Sequence, residues 1–270
     1  MIIGFLGAGV MARALAQGLV KGGVARANEL FCSAPTPGEG QSFLDAFPGA
    51  RWTADNSDVM KAAGITILAI KPQVFPQALA ALKPVSKDKL VLSIAAGMTL
   101  AKIRGWLDPS ARVVRVMPNT PMQIGQGASA YAGDAGVTAS DYELVQRILA
   151  SSGLAWRVEE NQIDAVTALS GSGPAYVFHF IEALTRGGAA LGLAPDLALA
   201  LARQTVLGSA QLAAQSSLAP LELARQVKSP GGTTLAGCAV LEENDALDTL
   251  FARCLAAARD RAHELAGGGK

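Results

Sequence analysis

Met1-Ile2-Ile3-Gly4-Phe5-Leu6-Gly7-Ala8-Gly9-Val10-Met11-Ala12 opens the chain. Ile2, Ile3, Phe5 and Leu6 form a short apolar run suited to a buried strand, and a glycine-rich turn follows it. Beyond the turn, Val10, Met11, Ala14, Leu15 and Leu19 recur at helical spacing. Strand, turn and helix in this order match the GxGxxA fingerprint of dinucleotide-binding domains, with Ala12 at the third small position. Gly7 permits the tight turn, Gly9 lets the backbone approach a pyrophosphate, and Ala12 keeps the helix close to the strand. The phosphates would rest on the free N–H groups of the helix's first turn. The bland alternative is a strand–helix turn with no ligand.

The next strand is expected over Glu29 to Ser33. In a domain selecting NAD it would end in an acid that recognises the ribose 2′-hydroxyl. It ends instead in Cys32-Ser33-Ala34-Pro35-Thr36; Glu29 stands at the wrong end, and Glu39 lies beyond two prolines. No carboxylate opposes a 2′-phosphate, and Ser33 and Thr36 offer hydroxyls, so the sequence favours NADP over NAD. Ordinary turn chemistry is the alternative for both hydroxyls.

Further strands are expected at Ile65–Ile70, ending at Lys71-Pro72, and at Leu90–Ile94, ending at Ala95-Ala96-Gly97. Another spans Arg112–Met117 and ends at Pro118-Asn119-Thr120-Pro121. Helical stretches fall between them, one opened by Thr99 as N-cap. Such alternation makes a parallel sheet with helices on both faces, and ligands bind outside the carboxyl ends of its strands. The strand-end segments therefore line one crevice. Lys71 would face it, or would simply be a solvated loop lysine.

Past residue 160 the strand signals stop. Asn161–Leu193, Pro195–Ser216, Pro220–Lys228 and Asp245–Leu265 read as helices, and the tail Gly267-Gly268-Gly269-Lys270 is expected to fray. The chain thus reads as an α/β protein. A Rossmann-type doubly wound domain spans 1–160, and an all-helical dimerisation and substrate domain spans 161–270. Several of the later helices are apolar around much of their circumference, so they must be buried on most sides. Residues 161–270 can hardly do that alone, which points to a homodimer.

Composition excludes other classes. Half of the residues are hydrophobic and 17% are charged, which excludes disorder. Lys and Arg exceed Asp and Glu by one, leaving no field for nucleic acid or acidic lipid. The mean hydropathy is +0.31, yet every apolar run is too short for a bilayer: Ile65–Ile70 stops at Lys71, and the run around Phe178 is cut by His179, Glu182 and Arg186. Cys32, Cys238 and Cys254 form no CxxC, so neither a disulfide framework nor a metal site is indicated, and a cytoplasmic protein is expected.

Two small-residue clusters interrupt the helical half. Ser170-Gly171-Ser172-Gly173-Pro174 implies a kink or a fresh helix start, because glycine and proline cost roughly 1 and 3 kcal/mol inside a helix. Ser229-Pro230-Gly231-Gly232-Thr233-Thr234 precedes another apolar segment. A helix starting there, carrying the Thr233 and Thr234 hydroxyls, is a candidate site for a substrate carboxylate or a plain cap. Catalytic acids are scarce. His179 sits among apolar residues and reads as packed or interfacial, and His263 complements a helix C-terminus. A ketone reductase needs a proton donor for the developing alkoxide, whereas a protonated imine already carries the charge that attracts hydride. The residues suit imine reduction better.

These segments, read together, resemble the Δ1-pyrroline-5-carboxylate reductase family over essentially the whole length. The resemblance rests on Asp164–Tyr176, Val227–Thr234, Phe5–Gly9, Ala69–Pro72 and Met117–Pro121. It implies NAD(P)H-dependent reduction of a cyclic imine to L-proline, the last step of proline biosynthesis. Leu6, Gly7, Ala8, Gly9, Val10 and Met11 would bind the pyrophosphate, and Ser33 and Asn56 would lie near the adenosine ribose and its 2′-phosphate. Ala69, Ile70, Lys71, Pro72, Ala95, Ala96 and Gly97 would line the cofactor. Gly231, Gly232, Thr233 and Thr234 would hold the substrate carboxylate, with the Thr234 hydroxyl orienting or protonating the ring nitrogen. The resemblance also implies a homodimer formed through the helical half, assembly into decamers, and an active site using both subunits. Ser217 and Gln226 depart from residues some members carry, and no role is assigned there. A β-hydroxyacid dehydrogenase would need a lysine shortly after the glycine turn, where Tyr176, Val177 and Phe178 stand. A non-catalytic, cofactor-sensing paralogue should have lost the Ser229–Thr234 turn.

Overall fold

The computed structural model describes residues 1–268. Among them, eight strands form one sheet in the order β3-β2-β1-β4-β5-β6-β7-β8. These are β1 (Ile3–Leu6), β2 (Leu30–Ser33), β3 (Arg51–Thr53), β4 (Ile65–Leu68), β5 (Leu90–Ser93), β6 (Arg112–Met117), β7 (Gly127–Gly133) and β8 (Gly153–Arg157). The strands named from sequence fall where expected, each ending within a residue or two of its expected bound. Strands β3, β7 and β8 were not foreseen. Pairing is parallel except between β6 and β7. The connection 118–126, with a 3-10 turn at Thr120–Ile124, is too short for a crossover, which needs about a dozen residues, so the chain doubles back.

Side-chain alternation divides the interior between the two faces of the sheet. Ile65 and Ile67 join a core with Phe5, Leu15, Phe43 and Ile148, while Leu68 joins another with Val59, Phe75, Val91 and Ile103. The helices supplying these cores are α1 (Val10–Lys21), α2 (Pro37–Ala46), α3 (Asn56–Ala62), α4 (Phe75–Leu79), α5 (Leu100–Arg104) and α6 (Ala139–Ala150). Thr99 caps α5 as expected, accepting from the Lys102 amide. Strands β1, β2, β4 and β5 are buried throughout, as strands covered on both faces must be.

After β8 come α7 (Ile163–Val166), a π-turn (Thr167–Gly171), α8 (Gly173–Ala190), α9 (Pro195–Gln215), α10 (Pro220–Gln226), α11 (Thr233–Glu242) and α12 (Ala246–His263). A second π-type segment, Glu264–Gly268, follows α12. The break expected at Ser170–Pro174 is this first π-turn with a fresh helix behind it. Of the tail expected to fray, Gly269 and Lys270 lie outside the described residues.

The chain packs as two compact units. One comprises Met1–Ser172 with the C-terminal segment from Ala257; the other is Gly173–Ala256. In the first, buried Arg115 on β6 donates to Asp164 Oδ1 at 2.8 Å and lies 3.7 Å from Glu160, whose Oε1 accepts from the Leu100 amide. His263 Nδ1 stands 3.6 Å from Asp164 Oδ2. The second unit is helical and sparsely buried: α9 buries Ala198 and Ala202 alone, and neither α8 nor α11 buries any residue. Phe178, Leu201, Leu212 and Val240 are all exposed, and so is His179, expected to be packed or interfacial. Among the described residues no helix is long and apolar enough to cross a membrane.

Candidate active site

In the first unit a cavity lies at the carboxyl ends of β1, β2, β3 and β4; the segments after β5 and β6, expected to line the same crevice, do not line it. Gly7 turns the chain out of β1 at φ +102°, and a Cβ there would lie 2.6 Å from the Ala69 carbonyl oxygen, so only glycine fits. Its amide donates to Ser33 O at 2.9 Å, and Ala69 N donates to Leu6 O at 2.8 Å. These bonds tie the ends of β1, β2 and β4 together. Gly9 is the N-cap of α1, and a Cβ there would meet nothing within 4 Å. No side chain caps this helix, and no acid stands in its first turn. Its leading N–H groups thus take no side-chain cap, and the positive end of the helix dipole stands behind them. That is the cradle a pyrophosphate requires, and the residues present fit one. Arg13, which carried no local sequence signal, steadies the loop by donating to Ala8 O at 2.8 Å.

Beside this loop lies a cavity of about 340 Å³ lined by Gly7, Ser33, Ala34, Pro35, Ala54, Asn56, Ile70, Val74, Gln77 and Ala78. The Ser33 hydroxyl donates to Asn56 Oδ1 at 2.6 Å, and Asn56 Nδ2 donates to Ala78 O at 2.9 Å. The carboxamide is thereby fixed with one amide hydrogen to spare. Every residue of this lining is uncharged. Val74, Gln77 and Ala78 were missed from sequence, because they follow a strand end only through the 3-10 and helical turns at Pro72–Val74 and Phe75–Leu79. Thr36 does not line the cavity; its hydroxyl caps α2, accepting from Glu39 N at 3.3 Å. Cys32 is fully buried, and burial pushes its thiol up to about 12, so it is no nucleophile.

The remaining predicted cofactor residues stand outside this cavity. Leu6 is buried, so only its backbone is offered; Ala8 is buried, Met11 is half-buried and Val10 is exposed. Lys71 is exposed and precedes the 3-10 turn that Pro72 opens. Ala95 is buried and Ala96 exposed. Gly97, at φ +72°, is packed: a Cβ would lie 2.9 Å from Leu265 Cβ.

Gly231, Gly232, Thr233 and Thr234 belong to the second unit. Gly231 takes φ +70°, and Gly232, not Thr233, is the N-cap of α11. As in α1, no side chain caps the helix and its first turn contains no acid. The Gly232 amide donates to Ser229 O at 3.0 Å, closing the turn. The Lys228 ammonium donates to the Glu242 carboxylate, which ties the residues before the turn to the far end of α11. That hydrogen bond holds the Lys228 pKa above its usual value. Thr234 is half-buried and Thr233 exposed. Among the described residues, no group of His, Cys, Asp and Glu could hold a metal ion.

Residues 160–265 match the family model described as pyrroline-5-carboxylate reductase dimerisation, and residues 2–97 match one described as NADP oxidoreductase, coenzyme F420-dependent. A pyrroline-5-carboxylate reductase of Pisum sativum is 40% identical over 97% of this chain and 95% of its own length. The structure of a pyrroline-5-carboxylate reductase from Coxiella burnetii superposes with a TM-score of 0.91 at 36% identity, covering 97% of each chain. That of Plasmodium falciparum pyrroline carboxylate reductase with NADP bound has a TM-score of 0.87 at 30% identity, covering 98% of each.

Proposed function

The chain belongs to the pyrroline-5-carboxylate reductase family, and from that premise we propose how its residues divide the work. It is an NAD(P)H-dependent oxidoreductase that reduces the cyclic imine L-1-pyrroline-5-carboxylate to L-proline, the last step of proline biosynthesis. The observation that carries the division is the pair of bare helix starts, one in each unit. Each is opened by glycine, uncapped by any side chain and free of acid in its first turn. The start of α1, with Leu6 to Met11, takes the pyrophosphate. Ala69–Pro72 and Ala95–Gly97 line the remainder of the cofactor. The start of α11, with Gly231 to Thr234, takes the substrate carboxylate. Residues 1–160 thus make the cofactor-binding part and residues 161–270 the dimerisation and substrate part.

When bound, the dihydronicotinamide supplies the hydride that the imine carbon accepts. The chain fixes the imine by its carboxylate, and the Thr234 hydroxyl aligns or protonates the ring nitrogen. Because a protonated C=N already attracts hydride, orientation and electrostatics suffice where His and acid candidates are missing.

NADPH is preferred over NADH on this reading, since the uncharged lining around Ser33 and Asn56 contains nothing to repel a 2′-phosphate. Asn56→Asp keeps the shape and the Ser33 bond, gives up the bond to Ala78 O, which affects both cofactors alike, and adds a negative charge that only a 2′-phosphate meets. It should lower kcat/KM for NADPH roughly tenfold, the cost of one like-charge contact of about 1.4 kcal/mol, with a smaller change for NADH. Equal losses with both cofactors would remove Asn56 from the 2′-phosphate site.

The exposed apolar residues of α8, α9 and α11 support a homodimer, with a decamer as the larger assembly. Light scattering at micromolar concentration should give at least twice the 27.6 kDa of one chain. A monomer there would contradict both. The cytoplasm fits three free cysteines, a usage natural to a reducing compartment.

A further inference from the structure

We propose that Asn119 is a positioning residue for the reaction, holding the π-turn Thr167–Gly171 as a preformed wall at the nicotinamide end of the crevice. The inference rests on the reading of that crevice as the NADP(H) site.

Pro174 leaves one helical carbonyl without its donor. In an α-helix the carbonyl of Ser170 would accept from the amide four positions on, and that residue is Pro174, which has no N–H. The chain widens into a π-turn just before it, closed by Ser172 N donating to Thr167 O at 2.8 Å. Such turns put an extra residue into a helix and concentrate at functional sites. The donor that Ser170 O cannot find in its own helix comes from another element: Asn119 Nδ2 donates to it at 3.1 Å. The other end of the same carboxamide is committed too, with Asn119 Oδ1 accepting from Ala128 N at 2.8 Å, at the start of β7. Asn119 is 9% exposed. One buried side chain thus bridges two backbone groups, and only a group with both a donor and an acceptor can do so.

The location gives this bridge its meaning. Asn119 follows Met117, the last residue of β6, and the backbone of Gly171 lies against Met117, where a Cβ would be 2.3 Å from its Cε. The π-turn therefore sits at the carboxyl end of β6. Strands β1 and β4 are neighbours from which the chain winds in opposite directions, so the switch point lies between them. The cavity lined by Ser33 and Asn56 is on the β2 side and suits the adenosine half. A dinucleotide laid across the switch point would reach from there toward the β4–β6 side, the side on which Asn119 and the π-turn stand.

Asn119→Asp keeps the acceptor for Ala128 N and sets a carboxylate oxygen against Ser170 O. In the unliganded protein, amide hydrogen exchange over residues 163–172 should speed up at least tenfold while exchange in β1 and α1 stays at the wild-type rate. Turnover should fall roughly tenfold or more, since small misplacements at a reacting centre are costly. The affinity for 2′,5′-ADP, which reports the adenosine half alone, should remain as in wild type. Asn119→Ala, uncharged and smaller, carries the same test if the aspartate variant does not fold, and should show the same pattern. Wild-type exchange and turnover in both variants would overturn the proposal. So would a loss of 2′,5′-ADP affinity as large as the loss of turnover, which would mark general destabilisation. Should the wild-type chain fail to reduce pyrroline-5-carboxylate, the assigned activity falls; the exchange and 2′,5′-ADP arms still decide the role of Asn119.

Discussion

Thr234→Ala should lower kcat roughly 10²-fold while the NADPH dissociation constant stays within about twofold of wild type. Thr234 is the second residue of α11, half-buried behind a glycine N-cap, so its amide is part of the bare helix start and its hydroxyl is separate from it. Alanine removes the hydroxyl and leaves the amide, so the carboxylate cradle persists and the contact at the ring nitrogen does not. The nitrogen changes most during the reaction, passing from protonated imine to secondary amine. A partner placed there acts chiefly in the transition state, and its loss falls on kcat more than on KM. Thr234→Ser restores the hydroxyl and should restore most of the rate. Unchanged turnover in the alanine variant would take Thr234 out of the mechanism.

The second large effect is expected at Gly9. A Cβ there meets nothing within 4 Å, and φ −69° suits any residue, so the fold can accept Gly9→Asp. Aspartate is among the best N-caps, and its carboxylate would occupy the same α1 amides that a pyrophosphate needs. The variant should therefore melt no lower than wild type. It should bind NADPH roughly 10²-fold more weakly, the ~2.7 kcal/mol expected for losing hydrogen bonds to a charged group. Undiminished binding, measured by titration of nicotinamide fluorescence, would reduce the glycine turn to a plain connection between strand and helix.

The residues behind these effects differ in how visible they are in the sequence. The opening strand–turn–helix was legible because each of its requirements is local: apolar residues for a buried strand, glycine for φ +102° at Gly7, open space at Gly9. Strand β7, Gly127-Ala-Ser-Ala-Tyr-Ala-Gly133, was not legible. Glycine and alanine have little intrinsic preference for strands, and this segment is held extended by its pairing with β6 and β8. Strand β3 is only three residues at a sheet edge and carries too little pattern to read.

The site divides in the same way. Gly231–Thr234 announced a helix start through its glycines, although the cap is Gly232, not a threonine. Asn56 emerged only through a family resemblance, because what gives it meaning is a bond from Ser33, distant in sequence. Asn119 was visible as one member of a strand-end loop, but its bond to Ser170 spans 51 positions and left no local trace. The later helices read from sequence as apolar around much of their circumference. The exposure of Phe178, Leu201, Leu212 and Val240 in the single chain turns that pattern into an argument for a second subunit.

The activity is measured by NADPH oxidation followed at 340 nm with purified protein, with and without L-1-pyrroline-5-carboxylate, and repeated with NADH. Oxidation should depend on the substrate, L-proline should form mole for mole with NADPH consumed, and kcat/KM should be lower with NADH. No substrate-dependent oxidation with either cofactor would contradict the reduction of pyrroline-5-carboxylate by this chain.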